Sequence, residues 1–212
     1  AYEPYVYSNS AMKRSIFYAL HDIEEDVIPI KLDGITKELL LYGGRIGFIT
    51  VGLKPHWVSD EEELNMLKKE LDNKLSALIR TTISNSNHFY QALVIKLFNS
   101  LGMDRLIQKR EKLKNILKNR YEKINSELRK IDSSIISVDP NAGGFFLFLN
   151  IDPERVSANN FADHLLRKYK IGVIPIEKPQ DNINGIRIAY CSIDINKIEE
   201  FVDRIKLALK DF

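Results

Sequence analysis

The sequence predicts an α/β chain in two parts, a region of mixed sheet and helix followed by a smaller α+β domain. Three observations carry this reading. Two short apolar runs, residues 27–32 and 45–51, are each closed by a glycine turn. The middle of the chain keeps apolar residues at helical spacing. Beyond Asp132, strand-like and helix-like segments alternate every few residues. With 212 residues, 44% of them hydrophobic, the chain has enough apolar side chain to pack a core.

Taken in order, Val27, Ile28, Ile30 and Leu32 read as a buried strand that ends at Asp33-Gly34, with Lys37 just past it. The run RIGFITV at 45–51, after Gly43-Gly44 and before Gly52, reads as a second strand. Ser59, followed by the acidic residues 60–63, signals a helix N-terminus, because a hydroxyl cap and early negative charge both satisfy unpaired N–H groups. Leu64, Leu67, Leu71, Leu75 and Leu78 then hold helical spacing, and Phe89, Leu93, Val94 and Leu97 start a second helix. Gly102 punctuates the chain before a long helix with Leu106, Leu113, Leu117, Tyr121, Ile124 and Leu128 on one face. The expected domain boundary lies there, giving parts 1–101 and 102–212. The second part is expected to run strand (135–138), turn at Pro140, Gly143 and Gly144, strand (145–151), helix (158–169), strand (172–176), strand (186–191) and helix (196–210).

Composition excludes several functions. Thirty-one Lys plus Arg against 29 Asp plus Glu leave a formal charge of +2, so no overall field favours nucleic acid or a membrane surface. Residues 105–130 are strongly basic, but their apolar positions form a core-facing stripe and the charges fall on the solvated side. Cys191 is the only cysteine, which forbids an internal disulfide and makes a reducing, cytoplasmic setting the expectation. No apolar run has the length of a membrane span, and the start AYEPYVY lacks the features of a signal peptide; a first residue of Ala fits a cut or processed chain. His21, His56, His88 and His164 show no ligand spacing, so no metal is expected.

The chemistry concentrates at 34–47, Gly-Ile-Thr-Lys-Glu-Leu-Leu-Leu-Tyr-Gly-Gly-Arg-Ile-Gly. A lysine amine attacks an aldehyde when burial or nearby cations hold it unprotonated, and a lysine just beyond a buried strand is a candidate for that. Arg45, opening the next strand, can return to the same place and grip a phosphate through its planar fork.

This stretch resembles, position for position, the cofactor-attachment pattern of class I/II aminotransferases, and the likeness extends along nearly the whole chain. Gly185-Ile186-Arg187-Ile188-Ala189 resembles the late arginine of that family, Ala1-Tyr2 the end of its Asp-x-Ala-Tyr, and 80–86 and 139–146 other family segments. The resemblance implies the C-terminal half of a pyridoxal-phosphate-dependent enzyme of fold type I: the end of the large domain, then the small domain. It further implies that Lys37 holds pyridoxal 5'-phosphate as a Schiff base, that Arg45 and Thr36 bind its phosphate, that Tyr2 donates to its ring oxygen and that Arg187 grips the substrate carboxylate. Gly34 stands where family members often carry a phosphate-binding Ser, which leaves Thr36 as the nearby hydroxyl. The implied reaction moves an amino group from an amino acid to a 2-oxo acid, in a homodimer of the complete enzyme, with the isolated chain inactive. A decarboxylase or acyltransferase on the same fold is one alternative. A non-catalytic ligand-sensing domain of a transcription regulator is another.

Overall fold

The structure, a computed structural model, describes residues 3–23 and 27–212. It divides into two compact units, the first comprising residues 1–4 and 12–110 and the second residues 5–11 and 111–212.

In the first unit, helix α1 (Ile16–Asp22) starts at Ser15, whose hydroxyl accepts from the Phe17 N–H at 3.2 Å. Its seven residues are too few to show a clear helical period, and the sequence reading passed over them. Strand β1 (Ile30–Gly34) pairs antiparallel with β2 (Gly47–Val51), Gly34 facing Gly47 and Ile30 facing Val51. Both strands are shorter than the apolar runs suggest, with residues 27–29 and 45–46 outside the ladder, and β1 is not the buried strand expected: Ile30 and Leu32 are exposed, because this sheet has only two strands among the described residues. Helix α2 (Ile35–Glu38) lies between them. Helix α3 (Glu61–Thr82) is capped by Asp60 rather than Ser59. The Asp60 carboxylate accepts from the Glu63 N–H at 2.9 Å, while the Glu63 carboxylate reaches back to the Ser59 N–H at 2.7 Å. Ser59 and Asp60 are both good caps, and this reciprocal pair decides which one serves.

Helix α4 (His88–Leu128) carries the non-helical residue Gly102, whose φ of 71° and ψ of 159° break the two expected helices apart. Glycine tolerates that left-handed φ at little steric cost. The division between the units falls within α4, between Arg110 and Glu111.

The second unit is built on a four-stranded antiparallel sheet in the order β3-β4-β6-β5, with β3 (Ile136–Val138), β4 (Leu147–Ile151), β5 (Ile174–Lys178) and β6 (Ile183–Ile188). Along β4 the burial alternates, as period-two side-chain direction requires: Leu147, Leu149 and Ile151 are buried, Phe148 and Asn150 less so. Ile186 and Ile188 of β6 join the buried face. Helices α5 (Ala158–Tyr169) and α6 (Ile198–Ala208) contribute Phe161, Leu165, Ile198 and Ile205, all fully enclosed. The start of α5 is held twice over: Ser157 Oγ accepts from the Asn160 N–H at 3.3 Å, and the buried Asn184 accepts from the Ala158 N–H at 2.7 Å. Asn184 also donates to the carbonyls of Ile151 and Val156.

Candidate active site

Residues 35–46 form a folded connection across the β1–β2 hairpin and carry three of the sequence-predicted site residues. The Ile35 N–H donates to the Ile46 carbonyl at 3.3 Å, which closes the connection at its base. Ile35 and Ile46 are buried with Val94 of α4, and Leu39, Leu41 and Tyr90 pack against them. Two turns shape the interior, with N–H to carbonyl bonds from Leu39 to Ile35 and from Gly44 to Leu41. Crowding accounts for two of the four glycines in the stretch 34–47, Gly44 and Gly47. A Cβ on Gly44 would approach the Leu41 side chain to 3.1 Å, and one on Gly47 would come as near to the Asp33 carbonyl oxygen. The apolar positions of the motif are thus the anchor, and the polar ones ride on it.

Thr36 and Lys37 sit on α2, half-buried. Next to Lys37, Glu38 pairs with Arg110 of α4 at 2.7 Å, which fixes the end of α2 from outside. Arg45 is exposed and occupies the left-handed backbone region at φ 50°, ψ 46°. Its guanidinium donates to the Tyr42 carbonyl at 3.3 Å, a single bond at the long limit. In the strand leading to the connection, Lys31 lies 2.9 Å from Asp33 and 3.7 Å from Glu3; the hydrogen bond to Asp33 holds its ammonium above the ordinary lysine value.

Arg187 belongs to the second unit. It sits on β6, opposite Phe148 of β4 and Ile174 of β5, on the exposed face of the sheet. The guanidinium lies over the Phe146 ring, 4.8 Å from its centroid, with no hydrogen-bond or ion-pair partner among the described residues. Tyr2 falls outside the described residues.

One arrangement has no signal in the sequence. Residues 5–8 bind the Gly143-Gly144 turn: the Tyr7 and Ser8 N–H groups donate to the Ala142 carbonyl, and the Gly144 N–H to the Tyr5 carbonyl at 2.9 Å. The Gly144 carbonyl accepts from both the Tyr190 hydroxyl at 2.6 Å and the Tyr7 hydroxyl at 3.0 Å. Burial holds the Tyr7 phenol far above the ordinary tyrosine range, helped by Tyr5 and Cys191 and opposed by the Tyr190 hydroxyl. Tyr5 and Tyr7 were legible as aromatic, but only the pairing of Val6 with Gly143 says where they go.

One connection therefore presents an amine, a hydroxyl and a guanidinium. By its chemistry that donor set would suit a ligand with both an aldehyde and a phosphate, the amine being the group that would condense with the first and the guanidinium and hydroxyl those that would hold the second. Two strands flank this lysine, and an antiparallel α+β unit lies beyond it in the chain.

The description "Aminotransferase class I and II" matches residues 1–205, and the chain belongs to that family, whose members depend on pyridoxal phosphate. The fold agrees with solved fold-type I structures. An aromatic aminotransferase from Pyrococcus horikoshii is similar over 100% of this chain and 50% of its own, with a TM-score of 0.71 and 20% identity. LysN, an α-aminoadipate aminotransferase from Thermus thermophilus, gives 0.70 and 21% over 100% of this chain and 49% of its own. An aminotransferase from Anaerococcus prevotii gives 0.62 and 25% over 84% and 38%. The chain thus spans half or less of the length of these structures. No curated protein sequence matches it.

Proposed function

We propose that the protein transfers an amino group between an amino acid and a 2-oxo acid, and that this chain contributes the lysine and three of the anion-binding side chains for that reaction. Lys37 Nζ holds the cofactor covalently and carries the proton to and from the substrate α-carbon. Arg45 and Thr36 bind the cofactor phosphate, and Arg187 binds the substrate α-carboxylate through its paired N–H groups. When bound, pyridoxal phosphate supplies the electron sink for that proton's departure. Tyr2 is assigned to the cofactor ring oxygen. The active protein is a cytoplasmic homodimer of two such sites.

The observation that carries this reading is the connection 35–46. Its apolar residues Ile35 and Ile46 are buried with Val94, and its backbone is closed by the Ile35–Ile46 hydrogen bond, which supports a held backbone for Thr36, Lys37 and Arg45. Preorganisation of this kind is what positions a nucleophile and its phosphate anchors for catalysis. The family relationship supports the chemistry, and the relatives named above act on different substrates, so the particular amino acid stays open.

The test is to incubate the protein with pyridoxal phosphate, reduce with borohydride and map the labelled peptide. The label is expected on Lys37 and lost in Lys37→Ala. Label on another lysine would refute the assignment. Products separate the reactions: amino-group transfer gives a new amino acid, whereas decarboxylation releases carbon dioxide, and a ligand sensor would bind without turnover.

A further inference from the structure

We propose that Phe146 is the positioning residue for Arg187: its ring is the platform that holds the guanidinium in place for the substrate carboxylate. This deepens, and rests on, the reading of Arg187 as the carboxylate-binding arginine.

The argument begins with register. Phe148 and Arg187 are direct cross-strand partners, as are Leu147 and Ile188, so Phe146 is the diagonal neighbour of Arg187 on the same face. Diagonal neighbours are within reach of long and aromatic side chains. Direct pairing with Phe148 is the other choice open to Arg187, and Gly185 decides between them. A Cβ at Gly185 would come within 2.6 Å of the Phe148 ring, so that ring leans over Gly185 in the space its missing side chain leaves. Arg187 leans the opposite way along the sheet and lands over Phe146, with Cζ 4.8 Å from the ring centroid.

The geometry matters because a guanidinium is flat. Its N–H donors radiate in its plane, and its faces have none. Arg187 Cζ lies over the Phe146 ring, and the guanidinium N–H groups have no hydrogen-bond or ion-pair partner among the described residues, so its donors remain for a ligand. Stacking and bidentate carboxylate binding are therefore compatible. An exposed arginine on a long flexible stem loses rotamer freedom when it binds, and a ring that already restricts it reduces that loss. The positive charge over the π-face adds attraction that a leucine in its place cannot supply.

The experiment follows the Arg187 Nε–Hε signal in the ¹⁵N-labelled protein and titrates it with 2-aminoisobutyrate. This amino acid carries the α-carboxylate but has no α-hydrogen to lose, so it reports binding without proton abstraction. In the parent protein the ring current of Phe146 displaces the Hε signal upfield. In Phe146→Leu that displacement disappears and Kd rises roughly two- to fivefold, the factor expected for an exposed cation–π contact. In the complete enzyme KM for amino-acid substrates rises by the same factor, with kcat changed by less than about twofold, because the platform acts on ground state and transition state alike. Phe146→Tyr keeps both the displacement and the affinity, since its ring offers the same π-face.

An undisplaced Arg187 signal in the parent overturns the proposal before any variant is made, as does an unchanged Kd in Phe146→Leu while Arg187→Ala loses binding. If Arg187→Ala itself binds 2-aminoisobutyrate as the parent does, the carboxylate role of Arg187 fails, and the positioning role fails with it.

Discussion

The Gly144 carbonyl offers a measurable test of how residues 5–8 are held. It is buried and accepts two phenols, Tyr190 at 2.6 Å and Tyr7 at 3.0 Å, both tyrosines being within 7% of full burial. Tyr7→Phe removes one donor but leaves the other, so the carbonyl stays satisfied; the cost is that of one ordinary hydrogen bond, about 1 kcal/mol. Tyr190→Phe costs about the same. The double variant strips the buried carbonyl of both phenols, which adds a desolvation penalty of about 1 to 3 kcal/mol. The two hydroxyls also interact with each other. That contact is lost in each single variant and counted twice in their sum, which trims the excess by roughly 0.5 to 1.5 kcal/mol. The penalty is the larger effect, and the double variant is expected to exceed the sum of the singles by about 1 kcal/mol. Urea unfolding of the four proteins, followed by tyrosine fluorescence and by circular dichroism, gives the cycle. Strict additivity, or a double variant milder than the sum, would refute the shared-acceptor argument. The same site predicts alkaline sensitivity. A phenol whose folded-state pKa is raised contributes stability below its unfolded value of about 10 and loses it as pH climbs above that. Tyr7→Phe should therefore flatten the loss of stability on the alkaline side.

Two further outcomes are expected in the second unit. Asp211 accepts from Lys168 at 2.8 Å, His164 at 2.7 Å and Tyr169 at 2.7 Å, which together hold its carboxyl well below the ordinary range. A depressed acid stabilises above its unfolded value of about 4 and stops doing so as pH falls below it, so Asp211→Asn should remove that acid-side dependence and free the final residues, read as sharper amide signals at 209–212. Asn184→Ala should cost about 3 kcal/mol in urea unfolding, against about 1 kcal/mol for Ser157→Ala, because it leaves the buried carbonyls of Ile151 and Val156 and the Ala158 N–H without their shared partner. Equal costs for the two substitutions would show that the cap alone sets the start of α5.

The sequence by itself determined whatever depends on neighbours along the chain. Helix α5 was readable from end to end, because its Ser157 cap, its apolar spacing and its closing Arg167 and Lys168 are all local signals. The break at Gly102 was equally local, a residue free to take the backbone angles that stop a helix. The hairpin around residues 34–47 was legible for the same reason, since its strands and the turn glycines between them are neighbours along the chain. Tertiary structure decided the rest. The choice of Asp60 over Ser59 as cap turned on one side chain reaching back, and both residues had the right chemistry. The strand order β3-β4-β6-β5 and its register cannot be read from alternation, which says which face a residue takes but not which strand lies opposite. That register is what sets Arg187 beside Phe146 and turns Phe148 toward Gly185. The docking of residues 5–8 on the Gly143-Gly144 turn was out of reach for a similar reason. It depends on one bridge and two phenols converging on a carbonyl far along the chain, and hydrogen bonds of that separation leave no period in the sequence.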